Sequence, residues 1–200
     1  CFLRHLSEDA AFATLAQAAG LLGTGALAAY TILHNLESVV FMVALGLSVA
    51  TSVQVGQAAG RGDAAEAVFS GVAGLAAAVV VVGVIGLGLL AIAPQVVAFY
   101  SSDPALIARA APLIAILCVT MVFDSGQVVL GQANRAMGDS WGTTLAFFLA
   151  FFCVMIPVGL TLAFRTPLAE AGLFVATGVG CATAMILLGY RFRVLVGRLG

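Results

Sequence analysis

The chain has 200 residues, 62% of them hydrophobic and 8% charged, with eight basic and nine acidic residues and a net charge of −1. A soluble domain carries about 25% charged residues, so a water-facing globule is excluded, and the near-neutral balance without a basic patch excludes a nucleic-acid binder. A mean hydropathy of +1.16 describes an all-α polytopic membrane protein whose solvent is the lipid bilayer.

A spanning helix needs about 20 mostly apolar residues. In chain order, six stretches qualify, over about 1–21, 26–59, 67–98, 104–133, 142–163 and 170–192. The breaks between them, LLGTGA, GRGDAAEA, YSSDPA, NRAMGDSW and FRTPLAEA, carry the Gly, Pro, Asp and Ser of turns and helix starts. The first stretch opens on Cys1 without a leader pattern and reads as a fragment that begins inside a helix. The second has surplus length, which tilting or bending accommodates. Pro94 ends or kinks the third, and Pro112 and Pro157 kink the fourth and fifth. No segment alternates with period two, so a β-barrel is excluded. Arg4, Arg61, Arg135, Arg191, Arg193 and Arg198 fall on one side of this topology, against Arg109 and Arg165 on the other. The excess of positive charge assigns both termini to the cytoplasm.

Several motifs reduce to packing. Cys1, Cys118, Cys153 and Cys181 are far apart and lie in or beside apolar stretches, with no metal-ligand spacing. The GVIGLG run follows no strand and is a small-residue helix surface instead of a nucleotide loop. RGD at 61–63 lies on a turn expected in the cytoplasm. No Ser–His–Asp order, HExxH motif or cysteine cluster points to an enzyme or to a bound cofactor.

Three carboxylates stand apart from the loop acids. Asp124, in TMVFDSGQVVLGQA, lies 11 residues before Arg135, roughly 16 Å into the bilayer at 1.5 Å per residue. Thr120 and Gln127 extend a polar stripe along its face. Glu37 lies 11 residues into the second span, and Tyr30, His34 and Phe41 share its face at helical spacing. These five side chains, Tyr30, His34, Phe41, Thr120 and Gln127, are the expected lining of a substrate cavity, and the wet face of the second helix is expected to continue through Ser48 and Ser52. Glu8 precedes the LLGTGA turn by about fourteen residues, roughly 21 Å. A carboxylate at such depth must face the bundle interior or water. There it loads and releases a proton, or binds a cation, as ion-coupled transport requires.

The stretches LGTGALAAYTILHN, SVVFMVALGLSVATSVQVGQAAGRGD, FDSGQVVLGQANRAMGDS, IPVG (156–159) and AEAGLF (169–174) resemble the second lobe of multidrug and toxic compound extrusion (MATE) transporters. The resemblance implies a twelve-helix protein of two six-helix lobes, of which residues 1–200 are the C-terminal one and the N-terminal lobe is absent. It implies export of amphipathic, often cationic small molecules in exchange for H⁺ or Na⁺. The family's acid in the seventh helix precedes a Phe by four residues, as Glu8 precedes Phe12. Its acid in the tenth helix stands in an FD…Q context, as Asp124 does between Phe123 and Gln127. Both are thereby implied as coupling-cation ligands, with sodium fitting at Asp124 and Glu8. The sequence also departs from the pattern. Tyr30-Thr31 replaces His-Gln, RAMGD replaces RG.GD, and Phe41 lacks a ring hydroxyl found in some members. That loss favours H⁺ over Na⁺, and Glu37, one turn earlier, is expected to replace the missing polar group as a third coupling residue.

The expectation is a bacterial inner-membrane antiporter lobe that works with its N-terminal lobe or with a second copy. A lipid-linked sugar flippase of the same superfamily and a non-transporting scaffold or truncated half-transporter are the alternatives.

Overall fold

The computed structural model describes the backbone of residues 2–166 and 168–199, with the side chains of residues 2–11 and 169 outside the described set. The elements, all helical, are α1 (Phe2–Leu21), α2 (Thr24–Gly60), α3 (Ala64–Ala91), α4 (Ala93–Tyr100), α5 (Pro104–Ala110), α6 (Leu113–Ala136), α7 (Ser140–Phe148), a π-helical segment (Leu149–Met155), α8 (Ile156–Arg165) and α9 (Ala169–Val196). Five stretches among the described residues are long and apolar enough to cross a bilayer: Thr24–Gly60, Ala64–Ala91, Leu113–Ala136, Ser140–Arg165 and Glu170–Val196. The described apolar part of α1, Phe12–Leu21, is shorter.

The punctuation is local chemistry. Gly23, Gly62 and Gly138 adopt φ of 116°, 72° and 87°, values that side chains with a Cβ rarely take. Asp63, Asp103 and Asp139 accept hydrogen bonds from the backbone amides of Glu66, Ala105 and Gly142 at 3.0, 2.9 and 3.1 Å, which caps the starts of α3, α5 and α7. The stretch expected at 67–98 is two helices, because α3 stops at Ala91 and α4 restarts around Pro94. The one expected at 104–133 is likewise divided between Ala110 and Leu113 by Pro112. Pro157 has no N–H for the Cys153 carbonyl, and its ring crowds that group. The preceding turns widen into the seven-residue π-helical segment, which absorbs the misfit within one continuous span.

The 37-residue α2 is apolar on nearly every side, so periodicity of hydrophobicity does not orient it. Its buried positions do: Ala26, Ala29, Tyr30, Leu33, Leu36, Glu37, Val40, Ala44, Ser48, Thr51, Val55 and Ala58 recur at three- and four-residue steps, with Ile32 buried beside them. Val39, Val43, Val49 and Val53 point outward, as expected of a lipid-facing surface. The polar members Glu37, Ser48 and Thr51 therefore mark the inside, the reverse of a water-soluble helix.

Helices α2, α6 and α9 run parallel. Gly25 lies against Arg109 at one end of α2, and Gly56 lies against Ala136 at the other. Between α6 and α9 the register is constant at 54 residues: the Thr120 hydroxyl reaches the Phe174 carbonyl (3.3 Å), and Asn134 Nδ2 donates to the Leu188 carbonyl (3.0 Å). Glycines set the approach. A Cβ on Gly178 would meet Thr120 Oγ1 at 3.0 Å, and one on Gly126 would meet Met185 Sδ at 2.7 Å, the small-residue packing characteristic of membrane helices.

An ion pair closes each end of this assembly. At one end Arg109 holds Glu170 through two nitrogens, with Nη2 2.9 Å from Oε2. At the other, Arg191 Nη2 lies 3.0 Å from Asp139 Oδ1, with Nε on the second oxygen. The Arg191 hydrogen bonds hold the Asp139 carboxyl below the usual carboxylate range, and the Gly142 amide adds to the effect.

Candidate functional site

A cavity of about 360 Å³ opens where α1, α2 and α6 meet. Phe12, Ala13 and Ala16 line it from α1; Tyr30, His34, Glu37, Ser38, Phe41 and Met42 from α2; Asp124 from α6. Both acids are buried, Glu37 at 5% and Asp124 at 6% exposure. Two carboxylates brought to one small chamber from different helices are costly in a low dielectric unless each is neutralised or hydrogen-bonded.

Asp124 is supported from its own helix and from α9. Gln127 Nε2 donates to its Oδ1 at 2.8 Å, and the Cys181 thiol donates to the same oxygen at 3.7 Å. Glu37 has a different environment. Its Oε2 stands 3.5 Å from His34 Nδ1. Its Oε1 and the His34 Nδ1 are buried, without a hydrogen-bond partner among the described residues. The imidazole is held from both sides, with the Phe12 ring at 5.3 Å and the Tyr30 ring stacked at 5.9 Å between centroids. Tyr30 leans in turn on Phe174 at 5.3 Å, and Phe12 on Phe151 at 6.3 Å. Ser38 Oγ donates to the His34 carbonyl at 2.9 Å, so its hydroxyl is occupied within α2.

Of the expected site residues, Tyr30, His34, Glu37, Phe41 and Asp124 therefore meet at one chamber. Thr120 and Gln127 are not among its lining residues. Thr120, 1% exposed, is turned to α9, where its hydroxyl is shared between the Ile116 and Phe174 carbonyls. Gln127 is fully buried beneath Asp124 and acts through it. The wet face of α2 also stops short of Ser48 and Ser52, whose hydroxyls donate to the Leu45 and Val49 carbonyls of their own helix; neither residue lines the cavity. Glu8 has its backbone in α1, but its side chain lies outside the described residues.

Sequence reasoning passed over Ser38, Met42 and Cys181. Ser38 and Met42 follow His34 by one and two helical turns, a spacing that would have flagged them. Cys181 had no local signal, since only the α6–α9 register brings its thiol to Asp124. Among the described residues no group of three or more His, Cys, Asp and Glu side chains is placed to hold a metal ion.

Apolar helices of bilayer length around a chamber with buried acids define a polytopic α-helical membrane protein with a polar interior site. Residues 2–163 match the MatE family, and the chain belongs to it. The chain is 35% identical over 192 residues to the probable multidrug resistance protein NorM of Caulobacter vibrioides, covering 94% of this chain and 40% of that protein. It is 32% identical over 189 residues to the multidrug resistance protein PmpM of Pseudomonas aeruginosa, covering 92% and 40%. The chain thus spans about two-fifths of the length of these relatives. In fold it is similar to the outward-facing conformation of a multidrug resistance MATE family transporter of the MOP superfamily, with a TM-score of 0.91 at 17% identity over 98% of this chain and 44% of that one. It is also similar to the eukaryotic MATE transporter AtDTX14, with a TM-score of 0.82 at 18% identity over 95% and 45%.

Proposed function

We propose that the chain is the C-terminal lobe of an antiporter that exports amphipathic, cationic small molecules in exchange for protons. The observation that carries this reading is the pair of buried carboxylates, Asp124 and Glu37, facing one aromatic-walled chamber from separate helices. Family membership and the multidrug resistance names of the relatives support the export role. Protonation removes a charge that is costly to bury, so it biases the packing of α1, α2 and α6; a cargo cation neutralises the same charge and competes. Asp124 and Glu8 are the coupling groups, with Glu37 as a third, and the proton is favoured over sodium. The partner is an N-terminal lobe of the same transporter, or a second copy, closing the open side of the chamber. The protein resides in a bacterial inner membrane, with the Asp139–Arg191 end and both termini cytoplasmic. Among the described residues no arginine lines the chamber, which disfavours a flippase for lipid-linked sugars.

The test is efflux of a fluorescent cation from proteoliposomes under an imposed pH gradient, with and without sodium. Asp124→Asn is expected to abolish gradient-driven efflux. Glu37→Gln is expected to change its pH dependence without conferring a sodium requirement. Full gradient-driven efflux in Asp124→Asn would remove the coupling role, and unchanged coupling in Glu37→Gln would remove the third site.

A further inference from the structure

His34 and Glu37 form a pair that is not closed as a hydrogen bond, with the His34 side chain 41% exposed and that of Glu37 7%. At 3.5 Å the two polar atoms are too far apart for a good hydrogen bond, yet His34 Nδ1 and Glu37 Oε1 are buried without one among the described residues. Meanwhile the imidazole lies between the rings of Phe12 and Tyr30, a position in which aromatic faces favour a cation. The chamber thus has the parts of a cation cage, two aromatic walls and a carboxylate, and part of it is filled by the protein's own imidazole.

We propose that His34 is a tethered competitor for cargo. As an imidazolium it neutralises Glu37 and fills the aromatic slot; as a neutral imidazole it leaves Glu37 unbalanced, and a quaternary or protonated organic amine takes the place of its charge. Each cargo cation bound at Glu37 then releases up to one proton from His34, in a balance of one positive charge for another. This deepens, and rests on, the reading of the chamber as the cargo site. It adds an exchange step carried within α2, separate from Asp124. Among the described residues, the titratable groups facing the imidazole are Glu37 and Tyr30 from α2 and Asp124 from α6; the described side chains of α1 at the chamber are Phe12, Ala13 and Ala16, and the side chain of Glu8 lies outside the described residues. The neighbouring α9 and π-helical segment contribute the Phe174 and Phe151 rings behind Tyr30 and Phe12.

The probe is benzyltrimethylammonium, a permanent cation with an aromatic ring and no titratable group. Its binding to the full-length protein that contains this lobe, in lipid nanodiscs, is measured by calorimetry at pH 7.5 and 5.5. Buffers of different ionisation heat report the protons released. The wild type is expected to bind at least fivefold more weakly at pH 5.5 and to release a measurable fraction of a proton at pH 6.5. His34→Gln is expected to keep binding and to release fewer protons per cation bound than the wild type; in an Asp124→Asn background, which removes the Asp124 share, His34→Gln is expected to lose most of the release and pH dependence that remain. A wild type that binds without releasing protons, or a His34→Gln protein with the full decline and release, overturns the inference while leaving the cargo reading standing. Absence of binding to the wild type at both pH values overturns both. Binding of the probe by the variants shows that they fold, so a changed proton release is read on folded protein.

Discussion

Gln127 Nε2 donates to Asp124 Oδ1 across 2.8 Å within α6, where neither side chain has more than a trace of solvent. This places the glutamine under the acid as its support. Replacing Gln127 with Met keeps the shape and removes the donor. The expected cost is about 1–3 kcal/mol, the usual consequence of stripping a partner from a buried polar group. Thermal unfolding in detergent measures it, and a variant as stable as the wild type would show that the bond contributes little.

Asp139 both caps α7 and pairs with Arg191. Its folded-state acidity is strengthened by Arg191. A carboxyl with a lowered folded pKa contributes stability that is present above its unfolded value, near 3.9, and is lost as pH falls through the lower folded value. Asp139→Asn is therefore expected to lower the melting temperature at neutral pH. The gap to wild type should narrow once the pH drops below about 4. A gap that widened on acidification would contradict the pairing.

The glycines of this chain are not equivalent, and substitution separates them. A Cβ at Gly172 would lie 2.9 Å from the Leu162 carbonyl carbon and 3.1 Å from its oxygen, backbone that cannot turn aside. Gly172→Ala should thus cost about 1–3 kcal/mol by overpacking. At Gly83 in α3 nothing lies within 4 Å of the added atom. There, alanine should be neutral or stabilise the helix by up to about 1 kcal/mol. Unfolding curves of the two variants decide the ordering.

Asn134→Leu removes the bridge to the Leu188 carbonyl at 3.0 Å, but it also removes Asn134 Oδ1, a buried acceptor without a partner among the described residues. The two effects oppose, so the expected loss is about 0.6 kcal/mol and no more than about 1.7, the range for interhelical hydrogen bonds in membranes. A larger loss in thermal or chemical unfolding would show that Asn134 carries more of the α6–α9 contact than its one bond.

Much of this architecture was legible because proline, glycine and aspartate act locally. Pro94, Pro112 and Pro157 each mark a real interruption, and Asp63, Asp103 and Asp139 each cap a helix, since these effects need no distant partner. The α2 stripe of Tyr30, His34, Glu37 and Phe41 was legible because four polar or aromatic groups on one apolar helix have one economical burial. Thr120 and Gln127 lie away from the chamber for a complementary reason. Helical spacing places them on the same side as Asp124, but it does not say which neighbour covers which part of that side. Gly178 lets α9 come close enough for the Phe174 carbonyl to take the Thr120 hydroxyl. Cys181 reaches Asp124 through the same register, which no local pattern in either helix encodes.

The steady 54-residue offset between α6 and α9 has a mechanical corollary. Arg109 of α5 and Asp139 at the start of α7, just before and just after α6, each hold one end of α9. Sliding α9 along α6 would have to break both pairs, so the depth at which Cys181 meets Asp124 is fixed from both ends.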